Sequence, residues 1–456
     1  MEEMSGLDAR FLHTETASAH MHTIKVAVVD VAARPELLTP EMFLGLLEER
    51  LDRMPVLRRR VVMVPHGLGA PLIVDDPDFA LERHVRVRVA APPGGDRELA
   101  DIVADVAAEA LPRDRPLWEL TVVQGLEHER MAFVAKLHHS LADGVASVAM
   151  LMNAFMSEDA VLETYRPEPV PTRRQLYRAA AGSWARGIAA FPDFVHRTGA
   201  GIKRARRARR LEEVPVLGPF AGARTPLNVP LTPGRTFGMV RLPMADLLAA
   251  RAAFGVSLND VFLGVCAGGL RRHLARTAGL PATSLVASVP VATRTDQHRL
   301  SGNHVDNLFL PIHTEIADPV RRLAAIHEST ASARRVRAAF GPELFELRSG
   351  FLPPTMLAAG TRLVTWSRVA AHIRPPLNLV ASNVAGPREP LGLDGGVITA
   401  LYSVGPILEG IGLNITAWSY VDTMYVSLLG CPESLPDPFA LADDLRAALA
   451  EISERV

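Results

Sequence analysis

Hydrophobic and polar positions follow two different periods along this chain, and the switches between them mark out its elements. Residues 24–31 form a short apolar run that predicts a strand, whereas residues 41–53 repeat at helical spacing until Pro55. Residues 98–111 predict a second helix, stopped by Pro112. Residues 120–124 and 131–137 predict paired strands around a polar turn. In the second of these, Met131, Phe133, Ala135 and Leu137 share one face, and Ala132 and Val134 on the other face are apolar too. A strand apolar on both faces is buried between layers. Val145, Val148, Ala149, Met152 and Met156 then recur at helical spacing. Residues 138–144 therefore connect a buried strand to a helix, a common position for chemistry.

The texture changes between residue 166 and about residue 235. PEPVPTRR is proline-rich and extended. The stretch after it places Trp184, Ile188 and Phe191 on one helical face, and residues 203–210 hold six basic residues in eight. This predicts an interdomain connection with a basic, amphipathic surface helix. Two readings stay open for it: contact with anionic lipid, or a solvated linker helix packed on its own protein. Beyond it, residues 236–242, 285–292, 307–312 and 377–384 predict strands, and 413–419 with 424–429 a hairpin around Val421-Asp422. Residues 258–276, 318–340 and 438–454 predict helices, the first with Ser257 and Asp260 in capping-box positions. No short tandem repeat is present. The expected organisation is α/β, with an N-terminal domain at 1–165, a linker at 166–235 and a second α/β domain at 236–456.

Composition narrows the function classes. A chain of 456 residues is long for one core, and a formal net charge of -1 gives no global field toward nucleic acid. The two cysteines, Cys266 and Cys431, form no CxxC pair, so neither a disulfide framework nor a cysteine zinc site is expected. An intracellular, cytoplasmic setting fits. The N-terminus, MEEMSGLDARFL, is not a secretory signal, and no window of about 18 residues is cleanly apolar. Residues 397–418 come nearest, but they contain Gly405, Pro406, Glu409 and Asn414 and are read as core strands. Peripheral membrane contact stays open.

The candidate chemistry lies in His138-His139-Ser140-Leu141-Ala142-Asp143-Gly144, which reads as HHxxxDG. An imidazole at the end of a buried strand can take a proton from a substrate hydroxyl or amine near neutral pH. His139 is assigned as that base. Adjacent strand side chains point to opposite faces, so His138 supports rather than shares the role. Asp143 is expected to anchor the loop by pairing with a cation or backbone, and Gly144 to let the chain turn into the helix. Neither a GxSxG elbow nor a Cys/His signature is present, which fits direct transfer without a covalent enzyme intermediate. With no HExxH run and no cysteine cluster, neither a metal nor an organic cofactor is expected. The bland alternative is that two adjacent histidines are surface or satisfied core residues.

Companion motifs change that balance. Pro116-Leu117-Trp118 reads as PLW, Asn259-Asp260 as ND, and Ser382-Asn383-Val384-Ala385-Gly386-Pro387 as SNVPGP with alanine for the usual proline. With SGLDARFL, SVPVATR, GNHVDNLFLPI and GLNIT, they run in order from residue 5 to about residue 430. The chain resembles the bacterial wax ester synthase/acyl-CoA:diacylglycerol acyltransferase family. That resemblance implies two chloramphenicol acetyltransferase-like domains with a substrate tunnel between them and the HHxxxDG loop at its centre. It also implies an O-acyltransferase that takes long-chain acyl-CoA as co-substrate and diacylglycerol as acceptor, at a membrane or lipid-droplet surface. Peptide-synthetase condensation domains share the HHxxxDG motif. A fatty alcohol acceptor, giving wax esters, is the closest alternative, and a non-catalytic lipid-surface protein the more distant one.

For the companions, structural and functional roles stay side by side. Pro116, Leu117 and Trp118 either start a strand with a packed indole or line the acyl tunnel. Asn259 either donates to substrate or to the developing oxyanion, or belongs, with Asp260, to the helix cap. Ser382 and Asn383 lead out of a buried strand near the tunnel. Asn414 faces the tunnel or pairs with backbone. Arg294 is the candidate partner for Asp143.

Overall fold

The computed structural model describes residues 1–33, 39–155, 162, 164–212, 221–292, 302–303, 305–340, 354–393 and 395–456. In chain order the first part holds β1 (Glu2–Glu3), α1 (Gly6–Thr14), β2 (His22–Asp30), α2 (Pro40–Glu48), β3 (Arg59–Val62), β4 (Leu72–Asp75) and β5 (Val85–Val89). It continues with α3 (Asp96–Ala108), β6 (Trp118–Leu126), β7 (Arg130–His138) and α4 (Gly144–Phe155). One long helix, α5 (Arg173–Leu211), leads to β8 (Thr236–Pro243), α6 (Met244–Phe254), α7 (Leu258–Thr277), β9 (Val286–Ala292), β10 (Val305–Pro311) and α8 (Pro319–Phe340). The last part holds β11 (Leu379–Val384), β12 (Gly392–Leu393), β13 (Gly396–Val404), β14 (Leu413–Tyr420) and β15 (Thr423–Gly430), with further helices at Pro354–Ser367 and Pro438–Ser453.

These elements build two mixed six-stranded sheets and a small third sheet, β1-β4-β3. The first large sheet runs β12-β13-β2-β7-β6-β5 and the second β10-β9-β11-β14-β15-β8. The expected division into 1–165 and 236–456 needs one amendment. β13 leaves the second half of the chain and pairs antiparallel with β2, from Val397 opposite Asp30 to Val404 opposite Ile24. Its alternation makes it a strand but carries no information about which edge it joins. The two sheets meet there. The Tyr402 and Tyr425 rings pack edge to face at 5.0 Å, and the Tyr425 hydroxyl donates to the Thr399 carbonyl at 2.8 Å.

β7 lies at the centre of the first sheet, which is why its sequence is apolar on both faces. Lys136, fully buried within it, donates to the Val106 and Glu109 carbonyls at 3.0 and 3.1 Å and lies 3.6 Å from Glu119. That set compensates a buried ammonium and ties β7 to the end of α3. In the second half, α7 begins with the reciprocal Ser257–Asp260 capping box. A Cβ on Gly269 would come within 3.1 Å of the Leu445 Cα, so only glycine lets α7 and the C-terminal helix approach this closely. Among the described residues no single helix is long and apolar enough to cross a membrane.

Candidate active site

The HHxxxDG residues sit where β7 ends and α4 begins, with the backbone N–H of His139 donating to the Met21 carbonyl at 2.7 Å. The two histidines point to different places. His138 is fully buried. The Ser140 backbone N–H donates to its Nδ1 at 3.1 Å, so Nδ1 carries the lone pair and Nε2 the proton. That Nε2 lies 3.3 Å from the Glu15 carboxylate. Burial, and then the Arg113 charge, hold His138 well below the usual imidazole range.

His139 is half-buried, and its ring stacks on Phe11 at 4.4 Å with 13° between planes. Its Nδ1 lies 3.0 Å from Oδ1 of Asn303. The amide of Asn303 has a defined orientation, because its Nδ2 donates to Asp8 Oδ1 at 2.6 Å and to the His139 carbonyl at 2.7 Å. Oδ1 therefore faces the imidazole and accepts Nδ1–H, which leaves the lone pair on Nε2. Adjacent histidines thus hold opposite tautomers. Nε2 meets no hydrogen-bond partner among the described residues. Burial pushes the pKa of His139 down to about 4; the Lys25 charge acts in the same direction, and Asp143 opposes it more weakly. At neutral pH the ring is an uncharged base with its free nitrogen open.

α1 explains how the N-terminus reaches this site. Ser5 caps the helix by accepting the Asp8 N–H, and Asp8 and Phe11, three residues apart, lie on one helix face. Asp8 orients Asn303 while Phe11 covers the ring. Asp8 and Asn303 were not singled out from the sequence, although both lie in stretches, SGLDARFL and GNHVDNLFLPI, that carry the family resemblance.

Asp143 is buried and accepts the Ala146 backbone N–H at 2.9 Å, which caps α4. Its own N–H donates to Gly302 and the Gly302 N–H donates to Leu141, so the loop is pinned beside Asn303. The candidate partner Arg294 lies outside the described residues, as does Met156 of the predicted helix. Gly144 faces the SNVAGP segment, and a Cβ there would meet the Val384 side chain at 3.1 Å. Gly386 is more constrained still, since its Cβ would fall 2.2 Å from the Ser419 carbonyl. The motif therefore wedges between α4 and β14.

The other companions take their places as follows. Pro116 and Leu117 are buried, and the Leu117 carbonyl accepts the His138 N–H at 2.9 Å. Trp118 is a core residue: its indole donates to the Leu57 carbonyl at 2.6 Å and stacks on His84 at 4.4 Å. Asp260 accepts from Ser257 and from His327, both near 3 Å, and so joins α7 to α8. Asn259 is half-buried in the first turn of α7. Ser382 and Asn383 are half-buried and pair in parallel register with Thr416 and Ala417. Asn414 is buried, donates to the Pro406 carbonyl at 3.0 Å and accepts from Thr416 at 2.7 Å. Among the described residues no group of three or more His, Cys, Asp or Glu could hold a metal ion.

Comparison with known proteins bears on the same residues. Residues 4–262 match the wax ester synthase/diacylglycerol acyltransferase catalytic domain, and residues 301–453 match the C-terminal domain of that family. A Mycobacterium tuberculosis (strain H37Rv) protein provisionally named a diacylglycerol O-acyltransferase is 36% identical over 453 residues, covering 99% of this chain and 96% of the relative. A second protein of that strain, named in the same way, is 34% identical over 469 residues, covering 100% and 90%. The solved wax ester synthase/diacylglycerol acyltransferase from Marinobacter aquaeolei VT8 superposes with a TM-score of 0.67 at 25% identity, over 99% of both chains. The first condensation domain of the CDA synthetase, at 15% identity and a TM-score of 0.59 over 99% and 96%, shares the fold.

Proposed function

This chain belongs to the wax ester synthase/diacylglycerol acyltransferase family, and we propose that it moves a long-chain acyl group from acyl-CoA to the hydroxyl of diacylglycerol. The observation that carries the chemistry is the fixed tautomer of His139, with Nδ1–H on Asn303 and Nε2 open. Nε2 takes the acceptor's hydroxyl proton as that oxygen adds to the thioester carbon. The carbon–oxygen bond forms and the carbonyl electron pair moves to oxygen. Collapse of the tetrahedral species breaks the carbon–sulfur bond, and the protonated imidazole returns its proton to the CoA thiolate. No covalent enzyme intermediate is needed. The oxyanion forming nearby stabilises the imidazolium as it appears and so offsets the low resting pKa of the base.

Thiol release from palmitoyl-CoA, measured in parallel with dioleoylglycerol and with hexadecanol, tests the reading. Faster release with hexadecanol would favour wax ester synthesis, the other activity in the family's name. No acceptor-dependent release with either alcohol would leave a lipid-binding protein without activity.

Asn303 is a positioning residue in this scheme. Asn303→Ala frees the imidazole to rotate and to change tautomer. It is expected to lower kcat by roughly 10²-fold, the cost of a small misplacement of a reacting group, with KM for acyl-CoA little changed. Wild-type kcat in a folded Asn303→Ala protein would remove Asn303 from the scheme.

Diacylglycerol resides in membranes, so the enzyme must meet it at an interface. All six basic residues between Lys203 and Arg210 are exposed on α5. Trp184, Ile188 and Phe191 are exposed on the same helix, and Met356, Leu363 and Trp366 on the helix Pro354–Ser367. Both helices touch the turn Pro65–Gly67. Exposed aromatics beside a cationic run fit a surface of anionic lipid. Exchanging the six basic residues for serine is expected to reduce pelleting with anionic liposomes at low salt, while activity on detergent-dispersed acceptor is kept. Equal pelleting would make α5 a solvated linker.

A further inference from the structure

β2 reads HTIKVAVVD, and Lys25 is the one cation in it apart from the histidine at its start. Strand alternation puts Thr23 and Lys25 on one face. Their cross-strand partners on β7 are Leu137 and Ala135, and His22 pairs with His138 on the opposite face. The face that carries Lys25 therefore continues onto His139, one residue past His138. The side chain folds back along its own strand toward that end, because Nζ donates to Thr23 Oγ1 at 3.1 Å. It also donates to Ser403 Oγ on β13 at 2.5 Å and lies 5.4 Å from the centre of the Trp418 ring on β14. The ammonium thus occupies the junction of the two sheets. Two of its three N–H groups are used, and among the described residues the third meets no oxygen.

Strand pairing at this position does not need the charge. β2 and β13 are already paired by backbone across this position, and even a half-buried ammonium is costly to desolvate. We propose that Lys25 donates its third N–H to the thioester oxygen as it becomes anionic during acyl transfer. This rests on the transfer reaction and the His139 assignment given above. When the acceptor oxygen adds to the thioester carbon, the negative charge lands on the former carbonyl oxygen. A fixed cationic donor on the face shared with His139 stabilises that charge more than the neutral carbonyl. When the carbon–sulfur bond breaks, the charge passes to sulfur and the oxygen is released as an ester carbonyl. Lys25 neither gains nor loses a proton in the cycle.

The charge state supports the geometry. Burial lowers the pKa of Lys25 to about 8, with the Asp143 carboxylate opposing that fall. The competent form is the ammonium, so kcat should hold near neutral pH and decline as pH rises through the value for Lys25.

The test is kcat and KM for palmitoyl-CoA across neutral to alkaline pH in the wild type, Lys25→Met and Lys25→Arg, with thermal melts alongside. Lys25→Met should lower kcat by about 10²- to 10³-fold, the usual loss of one oxyanion donor, with KM little changed and the alkaline decline gone. Lys25→Arg retains a cation and should recover part of kcat without an alkaline decline. Lys25→Met with near wild-type kcat, a loss confined to KM, or a kcat loss that keeps the alkaline decline each overturns the proposal. A wild-type profile that stays flat through alkaline pH does so without any variant. His139→Ala in the same assay separates the two levels: full turnover there sinks the transfer scheme itself, whatever Lys25 does.

Discussion

Replacing His139 with alanine should lower kcat by roughly 10²- to 10⁴-fold, the range a positioned general base supplies. The protein should stay folded. His139 contributes one stacking contact with Phe11 and one hydrogen bond to Asn303, so its loss removes little packing. KM for acyl-CoA should change little, because the imidazole acts on the acceptor's proton rather than on the donor's binding. His138→Ala should behave differently. Its ring is fully buried and bonded to Ser140, so truncation leaves a cavity in the protein, while Glu15 keeps its ion pair with Arg113. The expected signature is a lower melting temperature with a moderate fall in kcat. Turnover in His139→Ala equal to wild type, in a protein that melts normally, rules out His139 as the base.

Much of this site was legible in the sequence, and the limits have a physical pattern. HHSLADG could be placed because its cues are local: an apolar strand before it, helical spacing after it, and opposite faces for adjacent residues. The capping box at Ser257 and Asp260 was legible for the same reason, since the partners are three residues apart. The groups that orient His139 are not local. Asn303 lies 164 residues after His139, and Asp8, which orients it, lies 295 residues before Asn303. Only the closure of both halves brings them together. Lys25 left a weak trace as a lysine inside an apolar strand, a pattern that by itself reads as a snorkelling edge residue. β13 was legible as a strand but not as part of the first sheet, because alternation defines faces and not neighbours.

Stability should fall steeply as the solution is acidified from neutral, well before the carboxylates titrate. His13, His20, His22 and His138 are all held below the usual imidazole range, in each case first by burial. Neighbouring cations add to it: Arg113 beside His13 and His138, and Arg235 and Lys136 beside His20 and His22. Glu15 faces His20 at 3.4 Å and His138 at 3.3 Å without reversing the shift. The sign follows from proton counting. Unfolded histidines titrate near pH 6.5, and these four bind protons only at lower pH when folded. Below about pH 6.5 the unfolded state therefore holds more protons, and each such group removes up to about 1.4 kcal/mol per pH unit. His22 and His138, both held well below the usual range, come nearest to that limit, and His13 and His20 act in the same direction. The stabilisation is complete above the unfolded value and disappears as pH falls toward the folded values. Urea unfolding at neutral pH and about one unit below the unfolded value measures the slope directly. His22→Phe isolates one member. Neither ring nitrogen of His22 finds a hydrogen-bond partner among the described residues, so this variant gives up no polar contact there. It should be about as stable as wild type at neutral pH and less sensitive to acid. A wild-type unfolding midpoint that does not move between those two pH values contradicts the neutral, buried state of the cluster.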